Sequence, residues 1–357
     1  MRIRAGIGLL AAAAGLAVWG QPSKLTPQFK AIWEPVNVKA DIKLLDVAFA
    51  NEQTGWVAGG KTEIKGGIIL YTKDGGNSWT SQFGDAESSD RAVTGLRVLN
   101  ATTAFATQSA GGGPDRLLHT SDGQNWDQAG TIAQHYKDYA FTSPTHGIHL
   151  DARRIYLTND TGATWKPVGE CRVDAQVDGL TRQLDCELEA IHFPTAEIGY
   201  AVASAHGVNQ MFVLFRTSDG GATWQVTAVP ASERGRDIFF TTPKTGFVRV
   251  GEADTGRLYR TDDGGDTWKG VGASPGFHIR FTDQAVGWSF HYGKLSFTTD
   301  GGTRWTSRTF RFPATVEAFS LASRKRGYVA GEHGMVYRYW IVPAAYTAPG
   351  MIDAPMM

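Results

Sequence analysis

Acidic side chains recur at one fixed place in a repeated pattern, and they are the first residues in the sequence that could carry chemistry. The pattern is Thr/Ser-x-Asp-x-Gly-x-Thr/Ser-Trp, as in TSDGGATW and TDDGGDTW. Two carboxylates placed about a glycosidic bond are the usual machinery of glycoside hydrolysis. Six copies occur, and their Asp and Trp residues are Asp74 and Trp79, Asp122 and Trp126, Asp160 and Trp165, Asp219 and Trp224, Asp263 and Trp268, and Asp300 and Trp305. Because six equivalent carboxylates cannot share one active site, we expect them to be structural.

Each copy has the composition of a hairpin turn. Gly supplies the positive φ that a tight turn needs. The Asp carboxylate accepts hydrogen bonds from backbone N–H groups of the turn, and a Thr or Ser hydroxyl does so more weakly. The Trp begins the next strand and buries a large apolar surface against the turn. Two copies are imperfect, because TSDGQNW is one residue short and Arg304 replaces the second hydroxyl residue of TTDGGTRW.

Other patterns that carry chemistry are missing from the sequence. It contains no HExxH, no GxSxG, no phosphate-binding loop and no paired-cysteine metal spacing. The nine histidines are scattered, and we interpret His192 and His278 as ordinary strand residues. We therefore predict no metal and no cofactor. Lys+Arg and Asp+Glu each number 35, so the formal net charge is zero, which argues against a nucleic-acid partner.

Seven β-hairpins alternate with these turns and position them. Each hairpin has a short β-prone run, a polar turn and a second run that opens near a Gly and an aromatic or small residue, as in DVAFANEQTGWVAGG and DIFFTTPKTGFVRVG. Successive Asp residues of the turns are 37 to 59 residues apart, and a four-stranded propeller blade needs roughly 40–50 residues. Seven hairpins and six turns leave the last blade one strand short. The orphan run IWEPVNV, which begins at Ile32 and contains Trp33, can supply that strand.

The sequence therefore predicts an all-β fold, a seven-bladed β-propeller whose N-terminal strand closes the last blade. This closure joins the two chain ends and removes the open edges that a broken ring would expose. We assign the propeller to residues 21–342 and a loose Pro/Ala/Met tail to residues 343–357.

The N-terminus has the features of an export signal. Arg2 and Arg4 precede an apolar run from Ala5 to Val18, which has the length of a signal h-region and is short for a membrane span. We predict a signal peptide over residues 1–20, with an uncleaved anchor as the alternative. The mature chain is then exported, periplasmic or extracellular, and has no transmembrane segment.

Two cysteines, Cys171 and Cys186, flank a polar stretch that we interpret as a loop insertion. An exported protein meets an oxidising environment, so we predict a disulfide between them, with two unpaired thiols as the alternative. The bridge would contribute about 3 kcal/mol in the chain-entropy model.

With its repeated TxDGGxTW turns and the segments GWVAGG and GYVAGEHG, the chain resembles the Asp-box (BNR) repeat superfamily. Within it, the chain is most similar to the photosystem II stability/assembly factor family and its bacterial relatives. The resemblance covers residues from Ile32 to Tyr339 and implies a seven-bladed, non-catalytic propeller that binds partner proteins. Sialidases and xyloglucanases use the same turn, which we call the Asp box from here on. The sialidase motif FRIP has a counterpart only in FRFP, Phe310 to Pro313, which lies after the last box and is out of place.

Two functions follow as hypotheses. The first is a scaffold that binds a protein partner, and its candidate residues are Arg97, His192 and Arg280, which share one register in their hairpins and could form a polar ring at the channel mouth. Packing between blades is the structural alternative for these side chains. The second is a glycan-binding or glycoside-hydrolysing protein of the sialidase-like superfamily.

Overall fold

The computed structural model describes residues 29–62, 64–208, 210–252, 255–276, 278–291, 294–309 and 311–343. The predicted signal peptide and residues 344–357 of the predicted tail lie outside the described residues. The predicted tail begins one residue too early, because Pro343 ends β29 and pairs with Phe29. Within them, nearly every regular element is a strand, and one short 3₁₀ turn spans Glu332–Gly334. No helix long and apolar enough to cross a membrane occurs in these ranges.

The strands form seven antiparallel sheets, which are the blades of the propeller. Blades one and two contain β2 (Lys43–Phe49), β3 (Gly55–Gly60), β4 (Ile68–Thr72) and β5 (Thr80–Gly84), then β6 (Val93–Val98), β7 (Ala104–Gln108), β8 (Asp115–Thr120) and β9 (Asp127–Ile132). Blades three and four contain β10 (Asp138–Phe141), β11 (Gly147–Leu150), β12 (Arg154–Thr158) and β13 (Lys166–Glu170), then β14 (Arg172–Val177), β15 (Leu180–His192), β16 (Gly199–Ala205), β17 (Met211–Thr217) and β18 (Gln225–Pro230). Blades five and six contain β19 (Gly235–Phe240), β20 (Gly246–Val250), β21 (Arg257–Thr261) and β22 (Lys269–Ala273), then β23 (His278–Phe281), β24 (Gly287–His291), β25 (Lys294–Thr298) and β26 (Thr306–Thr309).

Blade seven closes the ring as the sequence predicts. Its sheet order is β1 (Phe29–Asn37), β29 (Met335–Pro343), β28 (Arg326–Gly331) and β27 (Val316–Ser323). Trp33 is paired with Tyr339 in the antiparallel register of β1 and β29. The first strand of the chain is thus the outer strand of the last blade, and the seven-bladed all-β fold is confirmed.

Burial falls from the inside of each blade to the outside. The second strand of blade four, β16, is buried at every position, whereas the outer strand β18 is mostly exposed. A second strand lies between the faces of two neighbouring blades, so both of its faces are covered. This explains why these segments are runs of apolar and small residues rather than alternating patterns.

Glycine opens the second strand because an aromatic ring of the first strand lies directly over it. A Cβ added at Gly246 would stand 2.5 Å from the Phe240 ring. Gly199 has the same relation to Phe193, at 2.4 Å. Glycine is required at these two positions because a side chain would collide with the aromatic ring, and not because of the backbone conformation, since neither Gly199 nor Gly246 has a positive φ.

The interface between blades is built on those rings. Phe240 of blade five stacks on Tyr200 of blade four with centroids 3.5 Å apart and planes at 3°. Trp268, from the Asp box of blade five, meets the same Phe240 edge-on at 6.2 Å. Phe240 therefore joins the neighbouring blade to the Asp box of its own blade. A Phe stands at this position in five of the seven hairpins, with Val98 and Leu321 in the other two.

Candidate functional site

The Asp boxes are self-contained turns between the third and fourth strands of six blades. Asp219 accepts hydrogen bonds from the Thr223 backbone N–H (3.0 Å), the Thr223 hydroxyl (2.6 Å) and the Thr217 hydroxyl (2.7 Å). The Thr217 hydroxyl in turn accepts from the Gly221 N–H at 2.9 Å. Asp74, Asp160 and Asp263 repeat these contacts. Each carboxylate is thereby occupied by its own turn.

The two imperfect boxes keep the turn with other donors. Asp300 accepts from the Arg304 N–H at 2.9 Å. Asp122 accepts from the Gln124 and Asn125 N–H groups, both at 2.8 Å, and from the Asn125 amide at 2.7 Å. Where the second hydroxyl is missing, backbone donors hold the carboxylate, and in the shorter box the Asn125 amide assists them.

Hydrogen bonding also sets the charge of these carboxyls. Bonds from the hydroxyl and N–H of Thr164 hold the pKa of Asp160 at about 2, below its usual 3.8. The corresponding Thr residues give Asp219 and Asp263 pKa values of about 2 as well. Such groups stay ionised and do not release or take up a proton near neutral pH, so they are poor general acids.

A central channel, enclosing about 560 Å³, is lined by the first strands of all seven blades. Near the end of the first strand of each blade, one residue lies opposite a residue at the start of the second strand, which is usually Gly. The residue directly before that first-strand residue lines the channel in all seven blades. These residues, which we call the channel ring, are Ala48, Arg97, Ala140, His192, Phe239, Arg280 and Ser320. The three candidate binding residues therefore lie around one cavity, on blades two, four and six.

Arg97 is bound to the channel wall. Its guanidinium donates to the Asp138 carboxylate (2.7 Å), to the Tyr139 carbonyl (3.1 Å) and to the Leu96 carbonyl (3.0 Å). Burial lowers the pKa of Arg97, but the charges of Asp138 and of its other neighbours outweigh burial and raise it overall. Because Asp138 and Tyr139 belong to the next blade, Arg97 joins blades two and three.

His192 and Arg280 lie on either side of Phe239. The Phe240 N–H donates to His192 Nδ1 at 3.3 Å, so a neutral His192 carries its proton on Nε2. Burial, followed by the charge of Arg280, lowers the pKa of His192 to about 3 and keeps the ring neutral. The Arg280 guanidinium lies 5.8 Å from the Phe239 ring centroid and donates to the Ile279 carbonyl at 2.9 Å. The assignment of Arg97, His192 and Arg280 to partner binding stays a prediction.

Three aspartates of the channel wall escaped the sequence analysis. Asp46 accepts from the Leu96 N–H of the next blade at 2.8 Å, and Asp138 accepts from the Ile191 N–H at 3.1 Å. Asp237, in the same place on blade five, accepts from its neighbour Ile238 at 2.9 Å. The signal was present in the sequence as DVAF, DYAF and DIFF in hairpins one, three and five.

The Asp46 carboxylate is held by backbone groups of the channel wall. Burial raises the pKa of Asp46, against the lowering effect of Arg97, but both of its oxygens accept backbone N–H groups. Within the described ranges, no three or more His, Cys, Asp or Glu side chains are grouped so as to hold a metal ion. The wall fastens the blades together.

The stretch between the cysteines is a β-hairpin, so its interpretation as a loop was wrong. β14 pairs with the first half of β15 through six residue pairs, and Asp178 and Gly179 form the turn with φ of 54° and 78°. Positive φ at both turn residues is the mark of a two-residue type I′ turn, which Asp-Gly favours. The sulfurs of Cys171 and Cys186 are bonded at the base, and the hairpin forms a fifth strand on blade four.

Comparison with known proteins relates the chain to assembly factors. The family described as photosynthesis system II assembly factor YCF48 matches residues 26–132. The photosystem II stability/assembly factor HCF136, chloroplastic, of Arabidopsis thaliana is 23% identical over 333 residues, which are 86% of this chain and 79% of that protein. The photosystem II assembly lipoprotein Ycf48 of Picosynechococcus is 24% identical over 329 residues, 86% of this chain and 87% of that one. The chain is therefore a BNR-type propeller related to the photosystem II assembly factors.

Solved structures share the fold. A structure described as YCF48 bound to D1 peptide aligns with a TM-score of 0.59 and 19% identity, over 86% of this chain and 96% of that one. The GH74 xyloglucanase from Xanthomonas campestris aligns with a TM-score of 0.58 and 12% identity, over 86% of this chain and 53% of the enzyme. At these identities the likeness shows the propeller and nothing further.

Proposed function

We propose that this chain is an exported, non-catalytic propeller that binds a peptide segment of a partner protein. The observation that carries the proposal is the similarity to photosystem II assembly factors over 86% of the chain. One structure of that kind is described with a D1 peptide bound. We propose that the partner of this chain is likewise a subunit of a membrane complex during its assembly, whether or not that complex is photosynthetic.

The arrangement of the carboxylates supports a role without catalysis. A glycosidase of the usual kind places two carboxyl groups about one bond and keeps at least one able to transfer a proton. The best-formed Asp-box carboxylates are held at pKa values of about 2 inside separate turns. Asp46 and Asp138, in the channel, bind backbone N–H groups of the neighbouring blade. These carboxylates could act as general acids only if their hydrogen bonds within the Asp boxes or between the blades were broken. Breaking those bonds would destabilise the fold.

Glycan binding is the second candidate, and the xyloglucanase likeness motivates it. The chain spans about half of that enzyme's length, 53%. The glycan hypothesis therefore rests on the shared fold, which hosts many functions.

The N-terminal sequence features support the export that we propose, and the lipoprotein name of one relative agrees with it. N-terminal sequencing of the protein from a cell-envelope fraction tests it. We expect the mature chain to begin at Gln21, and an intact Met1 in a cytoplasmic fraction would contradict export.

A direct experiment separates the two functions. The mature protein is applied to an array of overlapping peptides from the exposed segments of envelope proteins, and, in parallel, to xyloglucan and synthetic sialosides. We expect retention on a discrete set of peptides and no release of reducing sugar. Sugar release with ordinary turnover, and no retained peptide, would overturn the proposal.

A further inference from the structure

We infer that the outer edge of β14 is a docking edge that takes an extended, cationic peptide as an added strand. The inference rests on the proposed peptide-binding function and names the surface and the chemistry of the segment. It concerns the hairpin of β14 and the first half of β15, which the channel and the Asp boxes do not use.

The hydrogen-bond phase of the hairpin decides which backbone groups face outward. A two-residue turn closes on a hydrogen-bonded pair, here Val177 and Leu180. At the other end, the Cys186 N–H donates to the Cys171 carbonyl at 3.1 Å. The register between them is unbroken, so the odd-numbered residues of β14 bond to β15 and the even-numbered ones point away from it.

The outward groups have no backbone partner among the residues that the structure describes. They are the N–H and C=O groups of Arg172, Asp174 and Gln176, and no backbone bond to another described residue engages them. The side chains of these three residues are exposed. An open row of donors and acceptors on an exposed strand is the template that an added strand uses.

The hairpin is also held rigid, which lowers the entropy lost on binding. Its other face is apolar, and Val173 and Ala175 are each only 4% exposed. They belong to one cluster with Met211, Val213 and Phe215 of blade four. The disulfide fixes the base and the Asp-Gly turn fixes the tip.

Charge selects the peptide. Between residues 170 and 185 there are four acidic side chains, Glu170, Asp174, Asp178 and Asp185, against the two cations Arg172 and Arg182. Arg172 already lies 3.6 Å from Glu170 and 3.4 Å from Asp185. Asp174, at the centre of the edge, forms no ion pair within the described part of the chain. An added strand with basic side chains toward solvent matches this surface.

Binding is measured by fluorescence anisotropy with a labelled peptide of alternating lysine and valine, matched in length to the six residues of β14. A glutamate version of the same peptide is the charge control. We expect the lysine peptide to bind saturably and the glutamate peptide not to bind. If neither binds, or if both bind alike, the inference is wrong.

Gln176→Pro tests the edge itself. Proline removes one outward N–H, breaks no bond to β15 and fits an edge strand. We expect the Kd for the lysine peptide to rise roughly tenfold. Gln176→Ala is the matched control, because it removes the side chain, including its bond to Thr181, and keeps the N–H. It should leave the Kd unchanged, and an equal effect of both substitutions would overturn the inference.

N-methylated peptides test the same geometry on the unaltered protein. A strand added to an edge turns every second N–H toward it. Methylation of one alternating set should abolish binding, and methylation of the other set should not. Equal effects of the two sets would show attraction by charge alone and would contradict strand addition.

Two further outcomes also decide against it. If sedimentation shows a dimer that Gln176→Pro dissociates, and the lysine peptide does not bind, the edge serves a second copy of this chain. If array peptides bind with a Kd that Gln176→Pro leaves unaltered, the proposed function stands and this surface is the wrong one.

Discussion

The rings of Phe49 and Tyr328 stack with centroids 3.6 Å apart and planes at 3°. Phe49 ends the first strand of blade one, and Tyr328 lies in the second strand of blade seven. The Tyr328 hydroxyl also donates to the Gly75 carbonyl of the first Asp box, at 3.2 Å. A stacked pair of Phe and Tyr also joins blades four and five. The interface between blades seven and one, where the propeller closes, is therefore built like the interface between blades four and five.

Closure by the N-terminal strand gives the first prediction. Deletion of residues 21–40 should leave the β29 edge unpaired and cause aggregation, because exposed edges recruit other strands. Size-exclusion chromatography and thermal melting measure it. Deletion of residues 344–357, the part of the predicted tail that follows β29, is the control and should leave both unchanged. A soluble N-terminal deletion with an unaltered Tm would show that β1 does not close the ring.

The second prediction concerns the glycine that lies beneath an aromatic ring at the start of a second strand. In Gly246→Ala the new Cβ meets the Phe240 ring at 2.5 Å, and displacing a stacked ring should lower the free energy of unfolding by about 1–3 kcal/mol. Gly112→Ala is the control, because nothing lies within 4 Å of its Cβ. Its effect on urea unfolding should stay within about 0.5 kcal/mol. Equal stabilities of the two variants would refute the packing role of Gly246.

The third prediction separates the structural role of an Asp box from a functional one. Asp219→Ala leaves the Thr223 N–H without its acceptor and should cost about 1–2 kcal/mol of unfolding free energy. Peptide binding, measured where the variant is folded, should persist. Intact stability with lost binding would mean that the box carries function directly.

The fourth prediction concerns the loss of folding stability at acid pH. Asp160, Asp219 and Asp263 have pKa values of about 2 in the folded protein, against 3.8 for the ordinary group. The unfolded chain therefore binds protons first as the pH falls, and the stabilisation present above about pH 4 is lost toward pH 2. Replacing all three with Asn should flatten the dependence of the urea midpoint on pH over that window. A slope equal to that of the unaltered protein would contradict the assignment.

The repeats made the fold predictable. Six boxes, seven hairpins and the orphan strand around Trp33 determine the blade count and the closure, because each is a local pattern that recurs. The hairpin of β14 could also have been recognised, since Val173, Ala175 and Val177 alternate with polar residues directly before the Asp-Gly pair at residues 178 and 179.

The channel was harder to predict. Asp46 and Asp138 act on backbone N–H groups of the following blade, far away in sequence, and a bulge in the first strand, such as that between Leu44 and Asp46, helps to place the carboxylate. A single sequence shows that the pattern DxxF occurs in three hairpins, but it does not show which backbone N–H group each Asp contacts. The same holds for Arg97, whose partner Asp138 comes from another blade.

The central claim is that the propeller binds peptide and does not turn over glycan. It is tested most directly by titrating the mature protein into a labelled peptide retained on the array, with xyloglucan present as competitor, while reducing sugar is followed in the same samples. We expect saturable anisotropy, no competition by xyloglucan and no sugar release. Displacement of the peptide by xyloglucan, together with steady release of reducing sugar, would contradict the claim.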